Sequence, residues 1–378
     1  MKLSRIRIIS LSLSLISVLA VAVFTSTAPS AARSDMSNNT GVITTQDWQN
    51  KVDASVLSKA ATGQTEFLIY MARQADLSGA DALSTKEEKG EYVYRQLTAT
   101  AAETQPVVKQ VLQSFGSEFR GFWVTNAIWG KGGLAAIQAV ALRPEVAYVY
   151  ASGGGSLRLP SQPGGSELTS QSSLTADPAP EPGLLKVNAD DVWSLGVLGQ
   201  GVIVAGADTG VSWQHPALKR QYRGWDEATQ TANHSYNWHD SIHAPNTVCG
   251  GDTTEPCDDH DHGTHTVGTM VGDDGGTNTI GMAPEAKWIA CRNMTEGTGA
   301  VPTYMECMQW FIAPTDTAGL NPDPTRAPHV INNSWGCPPS EGCTNPDALH
   351  EDVAAVDAWM SQQAGEQSTT ETPRLAVG

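Results

Sequence analysis

The 378-residue sequence is short of positive charge: 23 Lys and Arg stand against 40 Asp and Glu, for a formal net charge of −17. That deficit excludes nucleic acid and anionic membrane surfaces as partners, because both repel so acidic a molecule. Cysteine is absent ahead of Cys249, and no C-x-x-C spacing occurs anywhere, which argues against a zinc cluster. Aromatic residues make up only 7%, and the one long apolar run lies at the N-terminus. What remains is a globular composition, 40% hydrophobic and 17% charged, with 36 glycines and enough length for two domains.

The N-terminus places Lys2, Arg5 and Arg7 before an apolar stretch from about Ile8 to Phe24, then small residues with cleavage positions after Ala28 or Ala32. This order predicts a secretory signal over residues 1–32; the run is too short and wrongly flanked for a membrane span. An exported protein can form disulfides. Six cysteines permit fifteen pairings, and the sequential scheme Cys249–Cys257, Cys291–Cys307, Cys337–Cys343 is favoured because each pair closes a short loop.

Residues 45–151 predict a small α+β domain. The segment "EFLIYM" reads as a strand and "KGEYVYRQLTATAAETQPVVKQVLQSFG" as a long amphipathic helix interrupted near Pro106. One or two strands in "EFRGFWVTNAIWG", a helix in "GLAAIQAVAL" and a strand in "EVAYVYA" complete a ferredoxin-like order. Residues 152–183 turn to Gly, Ser, Pro and Gln, a composition that cannot offset its ordering entropy, so a mobile linker with a processing site is expected.

From Leu184 to Gly378, strand and helix patterns alternate: "GVIVAGAD", "DHGTHTVGTMVG", "AKWIACRNM", "PTYMECMQWFIA", "APHVINNSWG" and "PDALHEDVAAVDAWMSQQ". Such alternation predicts an α/β, doubly wound, mostly parallel sheet whose ligands gather at the carboxyl ends of the strands. Asp208 stands at such an end, and burying its carboxylate there costs free energy unless something pairs with it.

Three chemistries could use it. An aspartic protease needs two Asp-Thr/Ser-Gly turns, and the sequence has one. The H-x-H-x-x-H spacing of His260, His262 and His265 resembles that of metallo-β-lactamases, but Thr264 stands where that motif wants an aspartate, and a zinc site would leave Asp208 unused. In the third, a buried carboxylate fixes the tautomer of an imidazole that serves a hydrolase as general base. Asp208 and His262 are the candidates, meeting across the sheet's edge.

"VIVAGADTGV", "HGTHTVGT" and "INNSWG", in that order, resemble the aspartate, histidine and substrate-strand motifs of the subtilisin-like serine proteases. The resemblance implies a secreted serine endopeptidase acting by an Asp-His-Ser mechanism, with Asp208 orienting the base and His262 as that base. Ser334, Trp335 and Gly336 correspond to the strand that binds peptide, and Gly297, Thr298 and Gly299 to the strand opposite. His265 is expected to be a core residue, and His260 with its neighbouring aspartates a solvated loop. The cysteine-bearing segments look like the bacillopeptidase F branch. The N-terminal domain and linker are similar to its prosegment, which implies an intramolecular inhibitor. Substrates would be proteins and peptides. No metal or cofactor is assigned, and a structural calcium is not readable.

Two of the family's segments, the A-A-G-N turn with the oxyanion asparagine and the G-T-S-M-A helix start with the nucleophile, do not occur in these residues. The match fades near Asp357, so the sequence predicts a subtilisin-like domain truncated or frameshifted there, poorly folded and unable to cleave peptides alone. The alternative is a non-catalytic peptide-binding or protease-inhibiting module.

Overall fold

The computed structural model describes residues 48–156, 180–244, 248–276 and 279–334. The first of these segments forms β1 (Thr65–Met71), α1 (Lys86–Ser114), β2 (Glu118–Phe122), β3 (Ala127–Gly132), α2 (Leu134–Ala141) and β4 (Val146–Ala151). The strands make one antiparallel sheet in the order β2-β3-β1-β4, the ferredoxin-like arrangement.

Alternation along β1 sends Phe67, Ile69 and Met71 toward a core with Val108, Leu112, Ile137 and Val140 of the helices. Leu68, by contrast, joins a second core that includes Phe122, Val124 and residues far along the chain. Both faces of this small sheet are therefore buried.

Helix α1 is not interrupted at Pro106: it runs unbroken for 29 residues. A capping box between Thr85 and Glu88 starts it, and its buried stripe continues on both sides of the proline, through Leu97, Ala101, Gln105, Val108 and Leu112. Beside the proline, the Gln105 amide donates to the Phe122 and Ala127 carbonyls at 2.8 and 3.3 Å. Packing and this tether offset the missing backbone donor.

The later segments form β6 (Ile203–Asp208), β7 (Trp238–Asp240), α3 (His262–Val271), β8 (Lys287–Arg292), β9 (Thr298–Ala300), α4 (Val301–Ile312) and β10 (Val330–Asn332). The strands β10-β6-β8-β7, in that order, make a parallel sheet. The short strand β7 gives no alternation in the sequence and was not expected. On one face Val204, Trp288 and Ala290 pack with Val267 and Val271 of α3. On the other, Ala205, Ala207, Ile289 and Cys291 pack with Met305, Phe311 and Ile312 of α4. A strand covered by a helix on each face needs apolar residues at every position, which explains the unbroken run before Asp208.

The core beneath α4 is shared with the N-terminal sheet, through Leu68, Phe122 and Val124. Polar contacts line the same junction: Gln309 Oε1 accepts from the Trp123 amide at 2.6 Å, Lys86 Nζ donates to the Ala327 carbonyl at 2.6 Å, and Arg120 pairs with Glu306.

The glycine-rich start of the expected linker is ordered. Gly154–Ser156 forms β5, which pairs antiparallel with β9. Among the described residues there are two disulfides, Cys249–Cys257 and Cys291–Cys307, closing separations of 8 and 16 residues as expected. The third expected pair, the helix from Pro346, the signal segment and residues 157–179 lie outside the described residues. No helix among the described residues is long and apolar enough to cross a membrane.

Candidate active site

Asp208 ends β6, and the chain must turn sharply to clear the sheet. Gly210 makes that turn at φ +110, where a Cβ would come within 1.8 Å of the Cys257 carbonyl. The Asp208 side chain is 2% exposed. Its Oδ1 accepts from the Thr209 amide at 2.7 Å and lies 2.7 Å from His262 Nδ1; Oδ2 accepts from Thr266 Oγ1 at 3.4 Å.

His262 opens α3, and its side chain is 18% exposed. The hydrogen bond to Asp208 raises its pKa, against the opposing effect of burial, and the charges of Asp208 and Asp258 add to the rise. Gly263 allows this approach: a Cβ there would meet the Gly210 carbonyl at 2.1 Å and Asp208 Cβ at 3.1 Å.

The start of α3 has an unusual cap. Asp261 precedes it in the left-handed region at φ +66 and provides no side-chain bond. Asp258 does this work from three residues further back. Its Oδ2 accepts from the Thr264 amide and hydroxyl at 2.8 and 2.5 Å; its Oδ1 accepts from the His260 and Asp261 amides at 3.0 Å each. Oδ1 also accepts from Thr209 Oγ1 at 2.8 Å, and that hydroxyl accepts from the Gly263 amide at 2.9 Å. A carboxylate at a helix N-terminus satisfies orphan donors and complements the dipole.

The expected solvated loop around His260 is thus an ordered scaffold. Asp258 is engaged as above, and the Asp259 side chain is wholly buried against Arg292. His260 lies against the 297 turn, where a Cβ on Gly297 would come within 2.9 Å of its Nε2. The role of Asp258 escaped sequence reading, because its charge was counted with a run of acidic residues rather than by the donors it faces. His265 is a second correction: it is exposed, because it stands two positions before the sheet-packed Val267 and so lies on the opposite side of the helix.

Of the expected peptide-binding residues, Gly297 occupies a left-handed turn at φ +77, and Thr298 and Gly299 lie in β9 between Met294–Thr295 and β5. Ser334 follows β10 and accepts from Asn332 Nδ2 at 2.8 Å. Trp335 and Gly336 lie outside the described residues. Among the described residues, no group of three or more His, Cys, Asp or Glu is arranged to hold a metal ion.

An inner strand of a parallel α/β sheet thus delivers a buried carboxylate to the Nδ1 of a histidine at the start of a helix. Residues 199–377 match the model of the subtilase family, Peptidase_S8. The chain is 34% identical over 296 residues to bacillopeptidase F of Bacillus subtilis (strain 168), an alignment covering 76% of this chain and 20% of that protein. It is 37% identical over 115 residues to the minor extracellular protease Vpr of the same organism, covering 29% of this chain and 12% of that protein. A solved structure, the epidermin leader peptide processing serine protease of Staphylococcus aureus, aligns at 14% identity and a TM-score of 0.47, over 79% of this chain and 59% of that one. The chain therefore spans about a fifth of the length of bacillopeptidase F.

Proposed function

We propose that the chain is part of a secreted subtilisin-type serine endopeptidase precursor, with Asp208 as the carboxylate that orients the base and His262 as the base. The observation that carries this reading is the 2.7 Å contact between Asp208 Oδ1 and His262 Nδ1. It assigns the Nδ1 proton to the carboxylate side and leaves Nε2 as the nitrogen able to take a proton from a nucleophile. In the proposed reaction a serine hydroxyl attacks a peptide carbonyl, its proton passes to His262 Nε2, and Asp208 stabilises the imidazolium.

The peptide would lie along β9 by strand addition. In the structure β5 pairs with this strand, Gly155 opposite Gly299 and Ser156 opposite Thr298. This supports reading residues 45–151 as an inhibitory prosegment whose tail fills the substrate strand. The buried junction with α4 supports the same reading. Signal peptide, disulfides and linker processing fit export to an oxidising compartment. No cofactor takes part.

Neither the nucleophilic serine segment nor the oxyanion asparagine segment occurs in these 378 residues. A polypeptide of these residues alone is therefore proposed to bind peptide without cleaving it. Incubating the purified full chain with casein and a serine-directed fluorophosphonate is expected to give neither hydrolysis nor label; hydrolysis with a labelled serine overturns that part. Hydrogen exchange is expected to find the β9 amides protected by β5, and free exchange there would overturn the inhibitor arrangement.

A further inference from the structure

Beside the Asp208–His262 pair, the structure buries a second set of charges. Arg292 ends β8 in register with Asp208 on the neighbouring strand, and its side chain is wholly buried. Its Nε donates to Asp240 Oδ1 at 2.9 Å and its Nη2 to Asp240 Oδ2 at 2.7 Å, a two-pronged pair. Nη2 also donates to the Gly250 carbonyl at 2.5 Å, and Nη1 reaches Asp259 Oδ2 at 3.3 Å. One cation and two carboxylates leave an excess negative charge inside the protein, which costs free energy unless neutral donors compensate.

Those donors come from chosen places. Asp240 accepts from the Ile242 amide at 3.0 Å and from the Thr253 amide and hydroxyl at 2.8 and 3.1 Å. Asp259 Oδ1 accepts from the Glu296 amide at 2.9 Å, and its Oδ2 from Thr295 Oγ1 at 3.3 Å. Asp259 stands three residues before His262 in the chain, and Thr295 and Glu296 lead directly into β9. One carboxylate therefore ties the loop that carries the base to the turn that carries the strand. The turn itself is held in the left-handed region at Glu296 and Gly297, φ +48 and +77, and rests on His260.

We propose that Asp259, held by Arg292, is a positioning residue: it fixes the separation between His262 and the strand Thr298–Ala300, and so the register of a bound peptide in front of the base. The proposal rests on reading that strand as the peptide-binding one. Apolar residues would fill the space between loop and turn at lower desolvation cost. They would not fix the loop against the turn with directional bonds. Asp259 is not among the charges that shift His262, so its effect is on geometry and not on the imidazole's proton affinity.

The test uses the full chain and two variants, Asp259→Asn, which keeps the shape, and Thr295→Val, which removes only one hydroxyl. Two readouts are taken: hydrogen exchange of residues 294–300 and the NMR titration of His262. Exchange of 294–300 is expected to rise about tenfold in Asp259→Asn, the worth of one hydrogen bond to a charged group, and several-fold in Thr295→Val. The His262 midpoint is expected to stay where it is. Unchanged exchange in both variants overturns the proposal, as does a His262 midpoint that collapses together with the strand, since Asp259 would then be general support. If Asp259→Asn does not fold, Thr295→Val decides alone. Failure of the underlying reading shows separately, in the wild-type chain, as free exchange of the Thr298–Ala300 amides despite their pairing with Gly154–Ser156.

Discussion

Asp258 and Thr209 lie 49 residues apart in the chain, yet the Thr209 hydroxyl donates to the Asp258 carboxylate at 2.8 Å and accepts from the Gly263 amide at 2.9 Å. This link joins the turn after the carboxylate Asp208 to the helix start that bears His262. Asp258→Ala should remove the cap of α3 and the link together. We expect a loss of about 2 kcal/mol in denaturant unfolding, in the range for helix caps and hydrogen bonds to a charged group. The His262 midpoint should also fall, because the Asp258 charge contributes to its rise.

Gly263→Ala tests the close approach. The added methyl would meet the Gly210 carbonyl at 2.1 Å, a backbone atom that cannot rotate away. The Asp208–His262 bond should therefore break, seen as loss of the low-field Nδ1 proton resonance while the far-ultraviolet spectrum is retained. A retained resonance would show that the turn has slack the structure does not indicate.

The junction between the N-terminal sheet and α4 should depend on pH. Burial works to raise the Glu306 carboxyl, but hydrogen bonds from His239 and His243 and the charges of His239 and Arg120 override it and hold it at about 2. The hydrogen bond to Glu306, opposed by burial and by Arg120 and helped by Asp252, raises His243 to about 9. A depressed carboxyl stabilises above its unfolded value, about 4.3, and that contribution is lost as pH falls toward the folded value. A raised histidine stabilises below about 6.5, and its contribution is lost as pH rises through the folded value. Protection of residues 118–122 and 301–312 against hydrogen exchange should therefore be greatest between about pH 5 and 6 and decline on both sides. Glu306→Gln should flatten both flanks; a profile that keeps its shape in this variant would assign the dependence to other groups.

The Cys291–Cys307 bond closes a separation of 16 residues between β8 and α4. Replacing both cysteines by alanine should cost about 3 kcal/mol, the loop-entropy value for a ring of that size. Equilibrium unfolding of the double variant checks it.

What could be read from the sequence follows from how local each signal is. The strand at Ile203–Asp208 and the helix at His262–Val271 announce themselves by an apolar run and by small residues at close-packing positions, and both form where expected. The pairing of Asp208 with His262 was legible because a buried carboxylate demands a partner. The strand Trp238–Asp240 was not, since three residues carry no period and pairing with β8 alone makes them a strand. Pro106 misled because a backbone rule, read alone, ignores the sheet that holds the helix on both sides. The acidic run before His262 misled for the same reason. Asp258 and Asp259 are next to each other in the chain, but one caps a helix and the other is buried against Arg292, and only the fold brings their donors to them.

The Asp208–His262 pair is tested most directly by the NMR titration of the His262 imidazole in the full chain beside Asp208→Asn. A raised histidine contributes stability below its unfolded value that is lost as pH rises through its folded value, so the variant should be destabilised more at pH 5 than at pH 9. The wild-type midpoint is expected to lie above that of an ordinary histidine, with the Nδ1 proton retained, and to fall in the variant. An ordinary midpoint that Asp208→Asn leaves unmoved would contradict it.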